Sequence, residues 1–484
     1  MTRFIPLLSL GLCLGYAPVF HAQTLLHTDS ALEWSSTITA DELSGLLHIL
    51  AADSMEGRET GKPGQRKAAA FLADQFEAMG LQPINGSYFQ PVPLTITQLK
   101  GGVLTLGSEK LVFKNDFVPY PGIQVVDIVA EAVFVGYGIQ EGLWDDYAGL
   151  DVAGKTVVML AGEPGSAEKG FVLSGNETPS KWSQDPSVKR MIADSLGATA
   201  TVLVSPEFAT LKSRLVPWLS RERMRLDVDR QGEGTDLPTL LVPEEVLLRS
   251  TGWKSMKDVR KKWPKRKLKG TDLGSMELHL ARKADKVEAT NVWGLLPGSD
   301  SLLADEIVAL TSHYDHVGVD KEGLIYNGAD DDGSGTVSLL ENAGAWMAAA
   351  KAGKGPKRSV LFMAFVGEEK GLLGSEWYSE HPAFPLEQHV CDLNMDMVGR
   401  FDEAHIDDDR YVYLIGSDKL SSELHEISEA VNAKHVGIAL DYTFNAPDDP
   451  NRFYYRSASR FRDRLFTRRK GLYLGYTFKK PRRI

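Results

Sequence analysis

Acidic and histidine residues gather in a few short segments of the C-terminal half of the chain. These segments are His313–His316, Asp330–Asp332, Glu368–Glu369 and Asp396. Carboxylates that converge without lysine or arginine between them repel one another unless cations neutralise them. Imidazole mixed with carboxylate suits zinc among the common divalent ions. Two such ions about 3.5–4 Å apart form a known hydrolytic arrangement, so these residue types predict hydrolytic zinc chemistry if the segments meet.

Apolar runs that read as buried strands precede or contain these segments. The predicted strands are Glu306–Ser312, Ser359–Val366 and Leu393–Met397, and a helix over Gly335–Ala350 lies between the first two. Apolar strands joined by helices predict an α/β fold with a mainly parallel central sheet covered on both faces. Ligands bind beyond the carboxyl ends of strands in such sheets, so we expect the four segments to meet there.

Each acidic segment also has a simpler interpretation. Asp330–Asp332 lies between glycines, where such a cluster usually makes a turn and caps the following helix. Glu368–Glu369 alone reads as the solvated end of a strand, and His313 alone as a structural histidine. Asp396 is harder to explain in this way, because a lone carboxylate among apolar residues is costly. Taken together, in this order, the segments favour the metal site.

The N-terminal half divides into two patterns. Apolar residues at helical spacing predict a helix after Thr39 and a second one that ends at Gly80, with a glycine-rich loop over Ser54–Gly64 between them. From about Val126 to Asp285 short strand-like runs dominate instead, which predicts a smaller, mostly β inserted domain.

Composition and the N-terminus narrow the class of protein. The net charge of -11 over 484 residues argues against a nucleic-acid partner. Thr2-Arg3, the apolar run Phe4–Val19 and a small residue at Ala22 have the layout of a secretory signal, and the run is too short for a comfortable membrane span. We therefore expect cleavage after Ala22, no stable membrane span and a secreted or periplasmic protein without an internal disulfide, since Cys391 alone remains.

The motifs together resemble the co-catalytic two-zinc aminopeptidase family, the leucyl aminopeptidase-like metallopeptidases. Besides the acidic segments, the likeness includes Glu56–Gly64 and Asn291–Gly298, and it runs from about Leu46 through Ser457. The segment around Tyr137-Gly138 resembles the protease-associated domain that interrupts many members. The resemblance implies the zinc exopeptidase fold, two Zn2+ ions and peptide substrates. The implied order is a signal peptide (1–22), a first part of the peptidase domain (23–125), a protease-associated-like insert (126–285), a second part with the metal site (286–457) and an aberrant basic tail (458–484).

The resemblance also implies roles for single residues. His313 and Asp396 would ligate one zinc, Glu369 the other, and Asp331 both, through a cis bond to Asp332; Asp315 would orient the His313 imidazole by a hydrogen bond. Glu368 would be the general base for attack by a metal hydroxide on the peptide bond, releasing N-terminal residues. Metal residues are thus His313, Asp331, Glu369 and Asp396, and catalytic residues are Glu368 and Asp315.

The likeness stops after Ser457. The family carries a further histidine ligand shortly after a Tyr-Arg-Ser stretch, and here Tyr455-Arg456-Ser457 is followed by Ala458-Ser459-Arg460. The basic tail beyond contains no histidine and lacks the Gly-Ile-Pro strand and final helix of the family. The abrupt change favours a shifted reading frame or a sequence error; genuine divergence, with the tail binding something acidic, is the alternative. On either explanation the site of Glu369 loses its imidazole, whereas the site of His313, Asp331 and Asp396 keeps its ligands. We therefore expect the chain to bind one zinc well, to lose the other and to be impaired or inactive as a peptidase.

Three other functions fit the pattern. A relative that has lost metal ligands could serve as a non-catalytic binding protein, although it would not need to keep Glu368. A single-zinc glutaminyl cyclase would need the missing histidine. Carboxypeptidase activity stays open, because no residue can be identified as the group that recognises a free amine or carboxylate.

Overall fold

The computed structural model describes residues 28–443 with short gaps at 121–122, 124–126, 143, 229–236, 264–267, 269, 407–409 and 418–421, together with residues 474–477. The chain forms two compact units. Unit 1 comprises the described residues up to Val92 and from Glu288 onward, and unit 2 comprises Pro93–Val287. Unit 1 is therefore built from two separate stretches of sequence.

Both units combine helices with strands. The α-helices are α1 (Thr28–Ser35), α2 (Ala40–Leu50), α3 (Pro63–Met79), α4 (Lys181–Gln184), α5 (Pro186–Ser195), α6 (Phe208–Leu219), α7 (Glu244–Thr251), α8 (Met256–Lys262), α9 (Gly335–Lys351), α10 (Leu373–Glu380) and α11 (Ser422–Val431). The strands are β1 (Phe89–Leu106), β2 (Glu109–Val112), β3 (Val118–Pro119), β4 (Asp127–Gly136), β5 (Gln140–Glu141), β6 (Trp144–Asp145), β7 (Thr156–Leu160), β8 (Gly165–Ser166), β9 (Gly170–Phe171), β10 (Ala200–Ser205), β11 (Arg223–Leu226), β12 (Thr239–Pro243), β13 (Thr271–Leu296), β14 (Ile307–His313), β15 (Gly318–Val319), β16 (Ile325–Tyr326), β17 (Ser359–Phe365), β18 (His389–Asp396), β19 (Tyr411–Tyr413), β20 (Ala439–Asp441) and β21 (Leu474–Thr477).

The sheet of unit 1 has the strand order β21-β18-β14-β17-β13. Strand β14 runs parallel to both β17 and β18, and β18 runs parallel to β21. Only the last part of β13, Val292–Leu296, pairs antiparallel, with β17. The predicted α/β fold with a mainly parallel sheet is confirmed.

Burial explains why these runs form strands. Every residue of β17 is buried, as expected for a central strand covered on both faces. Helix α9 buries Leu339, Leu340, Ala343 and Met347, the residues predicted to face one way. Helix α9 therefore covers part of the sheet, and its N-terminal end follows the Asp330–Asp332 segment directly.

The N-terminal helices of unit 1 begin and end as the sequence predicts. The Thr39 hydroxyl accepts a hydrogen bond from the Glu42 backbone N–H and so caps α2, whereas α3 ends at Gly80 in the left-handed conformation, with φ 92°. Between them, Asp53–Arg58 forms short helical turns rather than extended loop.

Unit 2 is dominated by strands, with helices α4 to α8 between them. Its central strands β4, β7, β10 and β12 are parallel neighbours in that order. The unit begins at Pro93, earlier than the predicted start of the insert at 126, and ends at Val287. The likeness of this region to a protease-associated domain stays a prediction.

Several predictions fall outside the described residues. These are the signal peptide, the Tyr-Arg-Ser stretch and most of the tail after Ser457. The tail does supply strand β21, which pairs with β18 from Leu393 to Asp396, although the sequence pattern predicted no strand there. None of the described helices combines the length and the apolar character needed to cross a lipid bilayer.

Candidate metal centre

The carboxyl ends of three parallel strands bring the predicted chemistry together. His313 is the last residue of β14, Asp396 is the last residue of β18, and Glu368 follows β17 after two residues. The His313 Nε2 atom lies 3.6 Å from Asp396 Oδ1 and 3.8 Å from Glu368 Oε2. His313 is 4% exposed and Asp396 14% exposed. The expected convergence at one edge of the sheet is therefore present.

The three consecutive aspartates have different surroundings. Asp331 Oδ1 lies 3.3 Å from His313 Nε2, whereas Asp332 accepts hydrogen bonds from the backbone N–H groups of His313, Gly335 and Met397. Asp332 lies close enough to His313 and Asp396 to be a ligand, but its carboxylate oxygens are already occupied by backbone donors. Asp332 therefore holds the loop and caps α9, and the role of Asp331 as the ligand of both ions stays a prediction. The peptide bond between them is cis, as the resemblance implies.

Asp315 connects the histidine to the predicted base. The carbonyl oxygen of Asp315, rather than its carboxylate, lies 3.1 Å from His313 Nδ1; the carboxylate Oδ1 is 3.8 Å away. The carboxylate instead accepts hydrogen bonds from the Thr60 hydroxyl and from the Glu368 backbone N–H. Burial raises the pKa of this carboxyl, while His313 lowers it. Asp315 thus fixes both His313 and Glu368, the imidazole through a main-chain atom.

Charge and burial set the protonation of the site. Burial, together with the negative charges of Asp396, Asp315 and Glu369, raises the pKa of Glu368 to about 8, against the opposing effect of His313. For Asp331, burial works to raise the pKa, but the hydrogen bond and charge of His313 outweigh it and lower the pKa. Glu368 is therefore set apart from Asp331 as a carboxyl that can carry a proton near neutral pH.

A second group of ligand atoms lies beside the first. His316, Asp331 and Glu369 each offer one ligand atom, and these atoms lie within 4.8 Å of one another. His316 Nδ1 is 2.9 Å from Glu369 Oε1. The sequence analysis assigned no role to His316, although its position three residues after His313 on the same segment was the available signal.

The donor atoms present fit zinc. The buried atoms His316 Nδ1, Glu369 Oε1 and Asp396 Oδ1 have no hydrogen-bond partner among the described residues. Unsatisfied buried polar atoms are rare and costly in folded proteins unless they serve a ligand or ion. Two groups that each combine imidazole nitrogen with carboxylate oxygen match the donor preference of zinc.

A family match falls on the part of the chain that carries the candidate metal centre. Residues 291–454 match peptidase family M28. The matched segment of this chain contains His313, Asp331, Glu368, Glu369 and Asp396. The match confirms the resemblance to the co-catalytic zinc aminopeptidases. The M28 match ends close to Ser457, where the motif likeness stops.

Several curated relatives are aminopeptidases by name, and one, from Arthroderma benhamiae, is a probable glutamate carboxypeptidase that is 33% identical over 112 residues, 22% of this chain and 14% of the relative. A probable leucine aminopeptidase of Arthroderma otae is 31% identical over 122 residues, which is 24% of this chain and 33% of the relative. The aminopeptidase YwaD of Bacillus subtilis is 38% identical over 95 residues, 19% of this chain and 18% of the relative. The chain thus spans a third or less of the length of these relatives. Among solved structures, a zinc aminopeptidase from Bacillus subtilis is 18% identical, with a TM-score of 0.40 over 90% of this chain and 85% of that one.

A buried arginine, for which no role was predicted from the sequence, lies beside the candidate metal centre. Arg58 is 0% exposed, and its guanidinium donates hydrogen bonds to the carbonyl oxygens of Leu50, Tyr314, Asn327 and Gly328. Burial lowers the pKa of Arg58 to about 10, and the nearby aspartates oppose that shift. Arg58 therefore ties the His313–His316 segment to the loop that precedes Asp331.

A buried asparagine fixes the turn that carries both glutamates. The Asn291 side chain accepts a hydrogen bond from the Val366 backbone N–H and donates to Gln90 Oε1 and to the Gly374 carbonyl oxygen. Asn291 is 0% exposed, so these partners replace solvent for its amide. The motif that begins at Asn291 therefore positions the segment leading to Glu368 and Glu369.

Proposed function

We propose that the protein is a zinc-dependent aminopeptidase that releases N-terminal residues from peptides. The observation that carries the proposal is the position of Glu368, whose carboxylate lies 3.8 Å from His313 Nε2 beside two groups of zinc-type ligand atoms. The match of this segment to peptidase family M28 supports a peptidase rather than another zinc hydrolase.

His313, Asp331 and Asp396 would hold one zinc, and Glu369 with Asp331 would hold the other. Bound zinc would polarise the scissile carbonyl and acidify the attacking water. Glu368 would take a proton from the attacking water and return it to the leaving amine, acting first as general base and then as general acid. Asp315 keeps the base in place through the hydrogen bond to the Glu368 backbone N–H.

The names of the relatives guide the choice of substrate and place of action. Three relatives are named as probable leucine aminopeptidases, which makes leucine 4-nitroanilide the first substrate to test. We further propose export of the protein to the periplasm or the medium, on the basis of the signal-like N-terminus.

The test compares the wild-type chain with Glu368→Gln after zinc loading. We expect the variant to bind the same amount of zinc as the wild type but to lose about 10²- to 10⁴-fold in kcat, because an amide cannot shuttle the proton. Glu387→Gln is the matched control, since Glu387 is an exposed glutamate outside the site, and it should leave kcat unchanged.

The substrate panel decides among the classes of function. Hydrolysis of aminoacyl nitroanilides that depends on Glu368 supports the aminopeptidase. Release of C-terminal residues from blocked peptides would indicate a carboxypeptidase, and cyclisation of N-terminal glutamine a cyclase. Zinc binding without turnover of any of these substrates would refute the peptidase proposal and favour a binding protein.

A further inference from the structure

The second ligand group contains two buried atoms that are close together yet unpaired. His316 Nδ1 and Glu369 Oε1 lie 2.9 Å apart, but neither has a hydrogen-bond partner among the described residues. Their side chains are 13% and 20% exposed, so water does not readily substitute for a partner. A nitrogen and an oxygen so placed, without the geometry of a mutual hydrogen bond, are arranged as two ligands of one cation would be.

Asp331 connects this pair with the first ligand group. One carboxylate oxygen of Asp331 is 3.3 Å from His313 Nε2, and a carboxylate oxygen of the same residue lies within 4.8 Å of the His316 and Glu369 ligand atoms. A carboxylate with two oxygens can serve two cations at once. Each ligand group therefore contains one imidazole, His313 in the first and His316 in the second. Asp331 can contribute a carboxylate oxygen to both groups.

Two backbone features around His316 position its ring beside Glu369. The His316 backbone N–H donates to the Arg58 carbonyl oxygen, 3.3 Å away. On the other side, Gly328 leaves room for the ring, since a Cβ atom at residue 328 would lie 2.6 Å from His316 Cγ and Cδ2 and 2.6 Å from the Asp331 carbonyl oxygen. A side chain at position 328 would thus displace the imidazole.

We propose that His316 supplies the imidazole ligand of the second zinc, through Nδ1, together with Asp331 and Glu369. This inference rests on the two-zinc site of the proposed function, and it gives that site a histidine that does not depend on the tail after Ser457. The sequence has Ala458-Ser459-Arg460 where the resemblance places a histidine ligand, so the second zinc needs an imidazole from elsewhere in the chain.

The first test measures zinc stoichiometry and affinity by metal analysis after dialysis and by calorimetric titration. Wild-type protein should bind two zinc ions. His316→Ala should keep one ion and weaken the second by at least about 100-fold, because removal of a direct ligand costs more than the 10- to 100-fold typical of groups behind the ligands. His48→Ala is the matched control, since His48 is exposed on α2, and should bind two ions.

A second pair of variants disturbs the ring without removing it. Gly328→Ala should weaken the second zinc as His316→Ala does, because its Cβ meets the imidazole. Gly323→Ala adds the same methyl group at a positive φ of 87°, where nothing lies within 4 Å, and should leave both zinc ions bound. The pair separates crowding of His316 and of the Asp331 carbonyl oxygen from the strain of a positive φ alone.

A third variant reports ligation directly. Nδ1 is the ring nitrogen nearer the backbone, so a cysteine at this position can place its thiolate near the same point. Cobalt-loaded His316→Cys should show a sulfur-to-cobalt charge-transfer band that the cobalt-loaded wild type lacks. Cys391 does not compete, because burial raises the pKa of its thiol to about 12.

The outcomes separate this inference from the proposed function. Two tightly bound zinc ions in His316→Ala, a single zinc in the wild type, or no charge-transfer band in His316→Cys would each overturn the role of His316. Two zinc ions in the wild type and one in His316→Ala, with no hydrolysis of any peptide, would support the role of His316 and refute the peptidase.

Discussion

Two adjacent aspartates, Asp331 and Asp332, have different roles at this site because their neighbours differ. Asp332 meets three backbone N–H groups and holds a loop, whereas Asp331 faces the His313 imidazole. The two interpretations of the aspartate cluster, a helix cap and a metal ligand, are therefore divided between adjacent residues. Charge count alone could not separate them, because the distinction lies in which backbone groups each carboxylate reaches.

Arg58 is the residue on which we expect both ligand groups to depend. Arg58→Lys should lower the free energy of unfolding by about 3 kcal/mol and weaken zinc binding, because one ammonium cannot reach the carbonyl oxygens that the guanidinium contacts. Thermal unfolding and zinc titration measure the two effects. Arg66→Lys is the control, since Arg66 is exposed and makes one such contact, to the Gly61 carbonyl oxygen. Equal stability of the two variants would show that the buried guanidinium is dispensable.

The ligands could be predicted from sequence, whereas the residues that position them could not. His313, Glu368 and Asp396 follow or end apolar runs, so their meeting is a consequence of parallel strands. Arg58 acts on Asn327 and Gly328, which are 269 and 270 residues away in the chain. No local periodicity encodes a contact at that separation. His316 was visible in the sequence, but its use depends on the orientation of its ring toward Glu369.

At the scale of elements, strand β18 combines the proposed metal ligand Asp396 with a second buried carboxyl. Asp392 pairs in register with Ala309 of β14, and its carboxylate accepts a hydrogen bond from the Thr311 hydroxyl. Burial raises the pKa of Asp392 to about 7. Strands β14 and β18 could be predicted because each is an apolar run. Strand β21 could not, because the residue pattern of the tail predicts no strand.

Asp392 should make the stability of unit 1 fall as the pH rises. Its folded pKa of about 7 exceeds the ordinary value of 3.8, so the folded chain holds a proton that the unfolded chain has lost between these values, and stability decreases through that window. Asp392→Asn removes this loss. Between about pH 4.5 and pH 8 the variant should gain roughly 3 kcal/mol relative to the wild type.

Chemical denaturation of chelator-treated protein at the two pH values measures this difference, and the exposed Asp305→Asn is the control. A constant difference between Asp392→Asn and the wild type across the range would mean that Asp392 does not titrate in this window.

At the scale of the whole molecule, every proposed zinc ligand belongs to unit 1. His313, His316, Asp331, Glu369 and Asp396 all follow Glu288, and their supports Arg58 and Thr60 precede Val92. Unit 2 contributes no residue to the two ligand groups found among the described residues. Zinc should therefore act on the stability of one unit and not on that of the other.

Removal of zinc should shift one of two thermal transitions. At free zinc 100-fold above its dissociation constant, binding to the folded state adds about 2.7 kcal/mol, which corresponds to roughly 5–10 °C for a unit of this size. Calorimetry with and without a chelator measures the shift, and Arg58→Lys identifies the transition of unit 1. Two transitions that move equally with zinc would contradict the assignment of metal binding to unit 1 alone.

The split of unit 1 has a consequence for how the protein is made. During synthesis the ribosome delivers α2, α3 and Arg58 first, then all of unit 2, and only afterwards the strands that end in His313 and Asp396. Domains generally fold as units as they emerge, so unit 2 can be complete while the first helices still lack their sheet. The metal centre is then a late step of folding, and the N-terminal helices are the part of the nascent chain most in need of a chaperone.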